Sequence, residues 1–486
     1  MRRLAAFVAL ALLAMVPGAC RKRPEGALRI LVIGNPPALR DPYEGSLSAP
    51  DQVLVANVAQ GLVSFDASGN IVSGLAERWT VTDDGLSYIF RLASANWPDG
   101  RKISAKDVAR LLKREIAGRS RNSLKDAFGA VDDIVPMTDR VLEINLVAPR
   151  PDLLSLLAQP QMAIIRSGEG TGPFIGSSAS GGQVKLTRNI VSLEDETKAR
   201  EELLLGGAAS AAAIQAFAAS DADLVLGGTF ADLPLAVRVK LPRNSLRFDP
   251  ASGLLGLVPT RSGGPLGKPE VRQLLSQAID RDSFVAALGV TGLAPRATVL
   301  EPGLDGLSAP VPPSWMAVAY SDRIAGLKAQ ANRLFSKGAK PTIRIALPDG
   351  PGGNLLFQFL QRDWGQLGFT VERSSIGSIS DFILIDEVAP STGASWFVRH
   401  FRCDRVLVCD PQADQLMDGA RQSPVPAQRY ALLGQAAALI DGGELFLPIT
   451  APVRWSLVSA SIQNFAGNRY ARHTLTELGT GPSSGG

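Results

Sequence analysis

Apolar residues recur along this chain with changing period, and each change marks an element. Ser87 to Leu92 (SYIFRL) alternates bulky and polar side chains, the period of a strand with one buried face. Leu28 to Ile33 (LRILVI) and Val141 to Val147 (VLEINLV) read as further strands. Val108, Leu111, Leu112 and Ile116 instead recur at helical spacing. They follow Ser104-Ala105-Lys106-Asp107, a helix start like a capping box with Asp in place of Glu. Turn clusters at Asp66 to Asn70, Asp83-Asp84-Gly85 and Trp97-Pro98-Asp99-Gly100 separate these runs. With a short helix over Pro151 to Leu157, they predict a mixed α/β region from about 61 to 168.

The second half alternates strand and helix, as βαβ units do. Pro269 sits in the first turn of a helix expected over Val271 to Leu288. Strands are expected at Ile343 to Leu347, Phe369 to Glu372, Ile383 to Ile385 and Glu444 to Ile449. Between them lies a helix, Leu355 to Leu367, ended by Gly368. Leu203 to Ser220 carries no charge but is mostly Ala, and predicts a buried helix of a soluble domain rather than a membrane span. No fixed-period repeat is present.

The first residues differ in kind. Met1-Arg2-Arg3 is basic, Leu4 to Val16 is an apolar run of 13 residues, and Gly18-Ala19 are small. A membrane-spanning helix needs ~20 residues, so this pattern reads as a secretory signal. Cys20 follows directly, and the arrangement resembles a bacterial lipobox, although Pro17 stands where an aliphatic residue is usual. The expectation is a signal peptide over 1–19, a lipidated Cys20 and a charged tether over 20–27. A soluble periplasmic protein with a leftover cysteine is the alternative.

Composition narrows the classes. The 486 residues allow about three domains or two large lobes. Hydrophobic residues at 45% and charged residues at 20% exclude disorder for the bulk of the chain. Net charge is +4, two units of which leave with Arg2 and Arg3, so no nucleic-acid footprint is visible. His400 and His473 are the only histidines, which disfavours a metal centre and most histidine-based catalysis.

Longer blocks carry a resemblance. They run from Gly61-Leu62-Val63-Ser64-Phe65 through Asn70-Ile71-Val72-Ser73-Gly74-Leu75-Ala76-Glu77-Arg78-Trp79 to Ile103-Ser104-Ala105-Lys106-Asp107-Val108. Gly170-Thr171-Gly172-Pro173-Phe174, Pro269-Glu270-Val271-Arg272, Ala278-Ile279-Asp280-Arg281-Asp282 and Asp410-Pro411-Gln412-Ala413-Asp414 follow. In order and spacing they resemble the extracytoplasmic solute-binding proteins of ABC transporters, family 5, the dipeptide/oligopeptide-binding group. The resemblance implies an α/β, two-lobe periplasmic-binding-protein fold, class II-like, with an extra subdomain in the first lobe and a hinge. Lobe I would comprise 28–258 and 447–486, with the subdomain at about 61–168, and lobe II 259–446. It implies a non-enzymatic, cofactor-free monomer that captures a small solute or short peptide and hands it to ABC transporter permease subunits, held to a membrane by its lipid anchor. Other members bind nickel complexes or sugars. A degenerate member could instead serve as an envelope interaction or sensory subunit.

In peptide-binding relatives, the region matching Trp396 to Asp404 supplies an aromatic, basic groups and an acid for the peptide's amino terminus. Trp396, Arg399, Arg402 and Asp404 are therefore the candidate ligand contacts, although the usual Asp-Pro-Asp-type stretch is absent and Asp404 is a loose substitute. A solvated surface loop is the alternative. The two arginines suggest an anionic group on the ligand. Cys403 and Cys409 can pair in an oxidising compartment, worth roughly 2 kcal/mol in the chain-entropy model; unpaired buried thiols are the alternative. Gly263-Gly264-Pro265-Leu266-Gly267-Lys268 lacks the glycine spacing of a phosphate loop and has Pro269 where Ser or Thr is required. Gly393-Ala394-Ser395-Trp396-Phe397 lacks the closing glycine of a nucleophile elbow.

Overall fold

The computed structural model describes residues 27–191, 198–336 and 338–480. The expected signal peptide, Cys20 and nearly all of the tether lie outside the described residues. In Leu28–Ile33 the pattern buries Leu28, Ile30 and Val32 on one face. This strand pairs in parallel with Lys198–Ala208 on one side and Leu224–Thr229 on the other. The resulting sheet has seven strands, in the order Leu246–Asp249, Arg454–Val458, Leu224–Thr229, Leu28–Ile33, Lys198–Ala208, Val184–Val191, Ile175–Ser178.

A second, five-stranded sheet runs in the order Thr370–Ser374, Thr342–Ala346, Phe382–Val388, Gly253–Pro259, Leu447–Thr450. All seven residues of Gly253–Pro259 are buried, as expected of a strand covered on both faces. The chain thus leaves the first sheet at Asp249, enters the second at Gly253, and returns between Thr450 and Arg454. The expected lobe limits, 258/259 and 446/447, fall at or near strand ends of the second sheet. Gly256 explains the tight pairing there: a Cβ would lie 2.4 Å from the Leu447 carbonyl oxygen.

The third unit is a four-stranded sheet, Ala76–Val81, Ser87–Leu92, Val141–Leu146, Val131–Thr138. Helix Ala105–Ile116 covers it, burying Val108, Leu111 and Leu112. The Ser104 hydroxyl caps this helix by accepting from Asp107 N at 3.1 Å.

Two expected helices differ. Leu203 to Ala208 is strand, and helix begins only at Ser210 and ends at Ala218. Gly206 and Gly207 decide this locally: at Gly207 a Cβ would stand 2.0 Å from the Asn35 carbonyl oxygen, a closeness only a glycine strand permits. The run Val271 to Leu288 is two helices, Pro269–Gln277 and Arg281–Leu288. Asp280 breaks it, because its carboxylate accepts from Ser283 N at 3.2 Å and caps the second helix. No described helix is long and apolar enough to cross a membrane.

Candidate functional site

The subdomain and the second sheet meet along a cleft that is bridged at several points. Gln159 Nε2 donates to the Pro390 carbonyl at 2.8 Å. The Ser391 hydroxyl donates to Asp152 Oδ2 at 2.8 Å. Arg405 pairs with Asp126, and Arg429 donates to the Pro149 carbonyl. Between these contacts remain two chambers, an inner one of about 440 Å³ and an outer one of about 390 Å³. Both sizes suit a small solute. Asp126, Arg399 and Arg405 stand in the walls of both.

Strand Phe382–Val388 and the short helix Ala394–Arg399 position the candidate residues on the second-lobe side. Trp396 is buried in the core and lines the inner chamber; its ring meets His400 edge-on at 4.5 Å. Arg399 ends the helix and faces both chambers. Arg402 and Asp404 line the outer chamber. Arg402 is already engaged, with Asp418 at 3.0 Å and Asp404 at 3.5 Å. Asp404 is mostly exposed. Cys403 and Cys409 are joined by a disulfide, so the loop carrying Arg405 is closed on itself.

The charges of the inner chamber are unequal in their partners. His400 Nδ1 hydrogen-bonds the Trp396 carbonyl at 2.8 Å, and its Nε2 meets Glu387 at 3.3 Å. That bond to His400 holds the Glu387 carboxyl below its ordinary pKa. Asp126 is taken by Arg405. Arg399 forms no hydrogen bond or ion pair through its guanidinium among the described residues, and its Nε is shielded from solvent. Burial pushes its pKa down to about 10, with Arg405 adding to the push. Arg472 enters from the C-terminal segment, and among the described residues its guanidinium donates only to Gln159 Oε1, at 3.1 Å. Burial, and then the nearby Arg454, pushes it to about 10 as well. Arg454 itself is paired across the two sheets with Asp386 at 2.8 Å.

Sequence reasoning missed Arg472, Gln159, Asp126, Arg405 and Glu387. Arg472 and Gln159 lie 313 positions apart and meet only through the fold.

Residues 70–381 match the model of the bacterial extracellular solute-binding proteins, family 5, middle region. A probable di/tripeptide-binding protein of Pseudomonas aeruginosa is 25% identical over 86% of this chain and 89% of its own length. The murein tripeptide binding protein MppA of Escherichia coli superposes with a TM-score of 0.78 at 16% identity, covering 93% of this chain and 98% of that one. OppA of Haemophilus influenzae, in complex with RPPGFSPFR, gives 0.77 at 15% identity over 94% and 99%. The likeness in fold spans both lobes.

Proposed function

Because the chain belongs to the bacterial extracellular solute-binding proteins of family 5, we propose that it captures a short peptide between its lobes and delivers it to the permease of an ABC transporter. The two half-open chambers between the subdomain and the second sheet carry this reading. Capture would need no bond chemistry: the lobes would rotate about the crossings at 250–252 and 451–453 and close on the solute. These crossings, rather than 258/259 and 446/447, are the proposed lobe limits, supported by strand pairing in different sheets on either side. Periplasmic relatives support an address outside the cytoplasm. Tethering there by a lipidated Cys20, and action as a monomer, complete the proposal.

The test is mass spectrometry of small molecules released from protein purified without denaturation, followed by calorimetry with the solute found. A peptide bound at micromolar affinity or better supports the reading. A folded protein that carries nothing and binds no member of a di- and tripeptide library refutes it. Cys20→Ser should move the protein from the membrane to the soluble periplasmic fraction; continued membrane partition would rule out the anchor.

A further inference from the structure

The first lobe carries a patch of cations without counter-charges among the described residues. Residues 233–248 contain Arg238, Lys240, Arg243 and Arg247 and no acid. All four are exposed, and among the described residues none forms a side-chain hydrogen bond or ion pair. The stretch from Arg454 to Thr476, which supplies the neighbouring strand, has no acid either. One solvated arginine needs no explanation. Four cations within ten positions, with no acid among them, form a positive face suited to an anionic surface. Strand register places this face at one end of the seven-stranded sheet. Leu246 pairs with Leu457, Leu457 with Val225, and Val225 with Leu31. Leu246–Asp249 therefore runs in the same direction as Leu28–Ile33, about 14 Å away across three strand spacings. The turn before it lies at the end of the sheet where the chain enters at Leu28. That turn is tight: Ser245 N donates to the Pro242 carbonyl at 3.3 Å, and Val458 N to the Ser245 carbonyl at 2.8 Å. Few described acids stand at this end. Asp221 is exposed, and Asp223 is paired with Arg29. On the other side of Leu28–Ile33, Glu201 pairs with Arg188 and Glu202 with Lys185. Glu194, Asp195 and Glu196 fall outside the described residues.

We propose that this end of the first lobe, through Arg238, Lys240, Arg243 and Arg247, rests on the anionic headgroups of the membrane to which the tether leads. The length of chain outside the structure points to this occupant. Residues 20–27 span at most about 28 Å when extended, so an anchored Cys20 holds this end of the sheet close to the bilayer. The tether adds Arg21, Lys22 and Arg23, charges of the same sign. An anionic bilayer attracts such groups once they come within a Debye length, about 8 Å at physiological salt. The proposal goes beyond solute capture and rests only on the anchored address. It is also compatible with capture. Leu246–Asp249 begins at the patch and ends at the crossing over 250–252. The crossing about which the lobes turn thus lies at the far end of that strand from the membrane contact.

The test takes the mature chain, residues 20–486, with Cys20→Ser so that no acyl chain contributes. Co-sedimentation is measured with vesicles of phosphatidylcholine alone or mixed with phosphatidylglycerol. The protein should bind the mixed vesicles and not the neutral ones, and 1 M salt, where the Debye length is about 3 Å, should release it. A cation near an anionic surface contributes roughly fivefold to binding. Combining Arg238→Gln, Lys240→Gln, Arg243→Gln and Arg247→Gln should therefore weaken binding by roughly 100- to 600-fold. The melting temperature and the affinity for a di- and tripeptide library should not change. Arg243→Gln with Arg247→Gln alone should weaken it by roughly 25-fold, and this pair decides the matter if the fourfold variant does not fold. Vesicle binding by the patch variants as tight as the parent's would assign the attraction to the tether and overturn the proposal. Equal binding to neutral and anionic vesicles, or none to either, would overturn it too. Patch-dependent binding to detergent-solubilised permease, by a protein that ignores vesicles, would reassign the face to a protein partner and overturn the lipid contact. The peptide library is read separately by calorimetry, so each of these failures leaves solute capture standing.

Discussion

Asp441→Asn should stabilise the protein at pH 8 and leave it nearly unchanged near pH 4. Asp441 sits in the last turn of helix Pro426–Gly442, where unsatisfied carbonyls make the helix end negative. One oxygen accepts from Val299 N at 2.8 Å. Burial pushes the carboxyl from 3.8 up to about 7, against the opposing effect of the Val299 bond. The folded state thus holds this proton more tightly than the unfolded chain does. Below the unfolded pKa both states are protonated and the group has no effect. As pH rises from about 4 to about 7 the unfolded chain ionises first, so stability falls, and above 7 the loss stays constant. A shift of about three units corresponds to at most about 4 kcal/mol. Relaxation and partial access of water to the side chain reduce this to about 2 kcal/mol. Asparagine keeps the acceptor for Val299 and removes the charge. Urea unfolding should therefore show a gain of about 2 kcal/mol at pH 8 and about none near pH 4. Glu444 should respond as well, because burial first and then the Asp441 charge push its carboxyl up to about 7. An equal gain at both pH values, or a loss at pH 8, would refute the reasoning.

Gly228→Ala should destabilise by about 1–3 kcal/mol, since the new Cβ would lie 2.2 Å from the buried Trp455 indole; an unchanged urea midpoint would contradict the packing. Cys403→Ser with Cys409→Ser should lower second-lobe stability by roughly 2 kcal/mol in the chain-entropy model, and peptide mapping of the unreduced parent should show the two linked. The Arg405–Asp126 pair is half exposed, so Arg405→Gln should weaken closure by about 0.2–1 kcal/mol, up to roughly fivefold in the closed population. Small-angle scattering of the solute-bound protein at low and high salt would check this, and a salt-independent profile would argue against it.

Elements whose period was fixed by their own side chains were legible in the sequence. Ser104 with Asp107 marked a helix start that the structure uses, and the alternation in Ser87–Leu92 is a true buried face. Leu203 to Ser220 was misread because its composition fits a buried helix or a buried strand equally well, and what decides between them, the pairing with Leu28–Ile33 and the close approach of Gly207 to Asn35, exists only in the fold. The helix from Pro269 hid its break, because Asp280 acts as a cap only once Ser283 folds back onto it. The cleft followed the same division. The segment from Trp396 to Asp404 could be singled out as one stretch of chain. The charge relation among Arg399, Arg472, Gln159 and Asp126 could not, because those residues are brought together from three distant parts of the sequence.

The seven-stranded sheet imposes an order on synthesis. Strand Arg454–Val458 lies between Leu246–Asp249 and Leu224–Thr229, both made some two hundred residues earlier. Until it arrives, Leu224–Thr229 presents an open edge of unpaired backbone groups, the kind of surface that invites wrong pairing and holds chaperones. Arg472 follows eighteen residues after that strand begins. A chain cut short before this point could complete its four-stranded subdomain, yet it would have a frayed first sheet and a chamber without its Arg472 wall. The wall of that chamber is thus finished only after both large sheets have their strands.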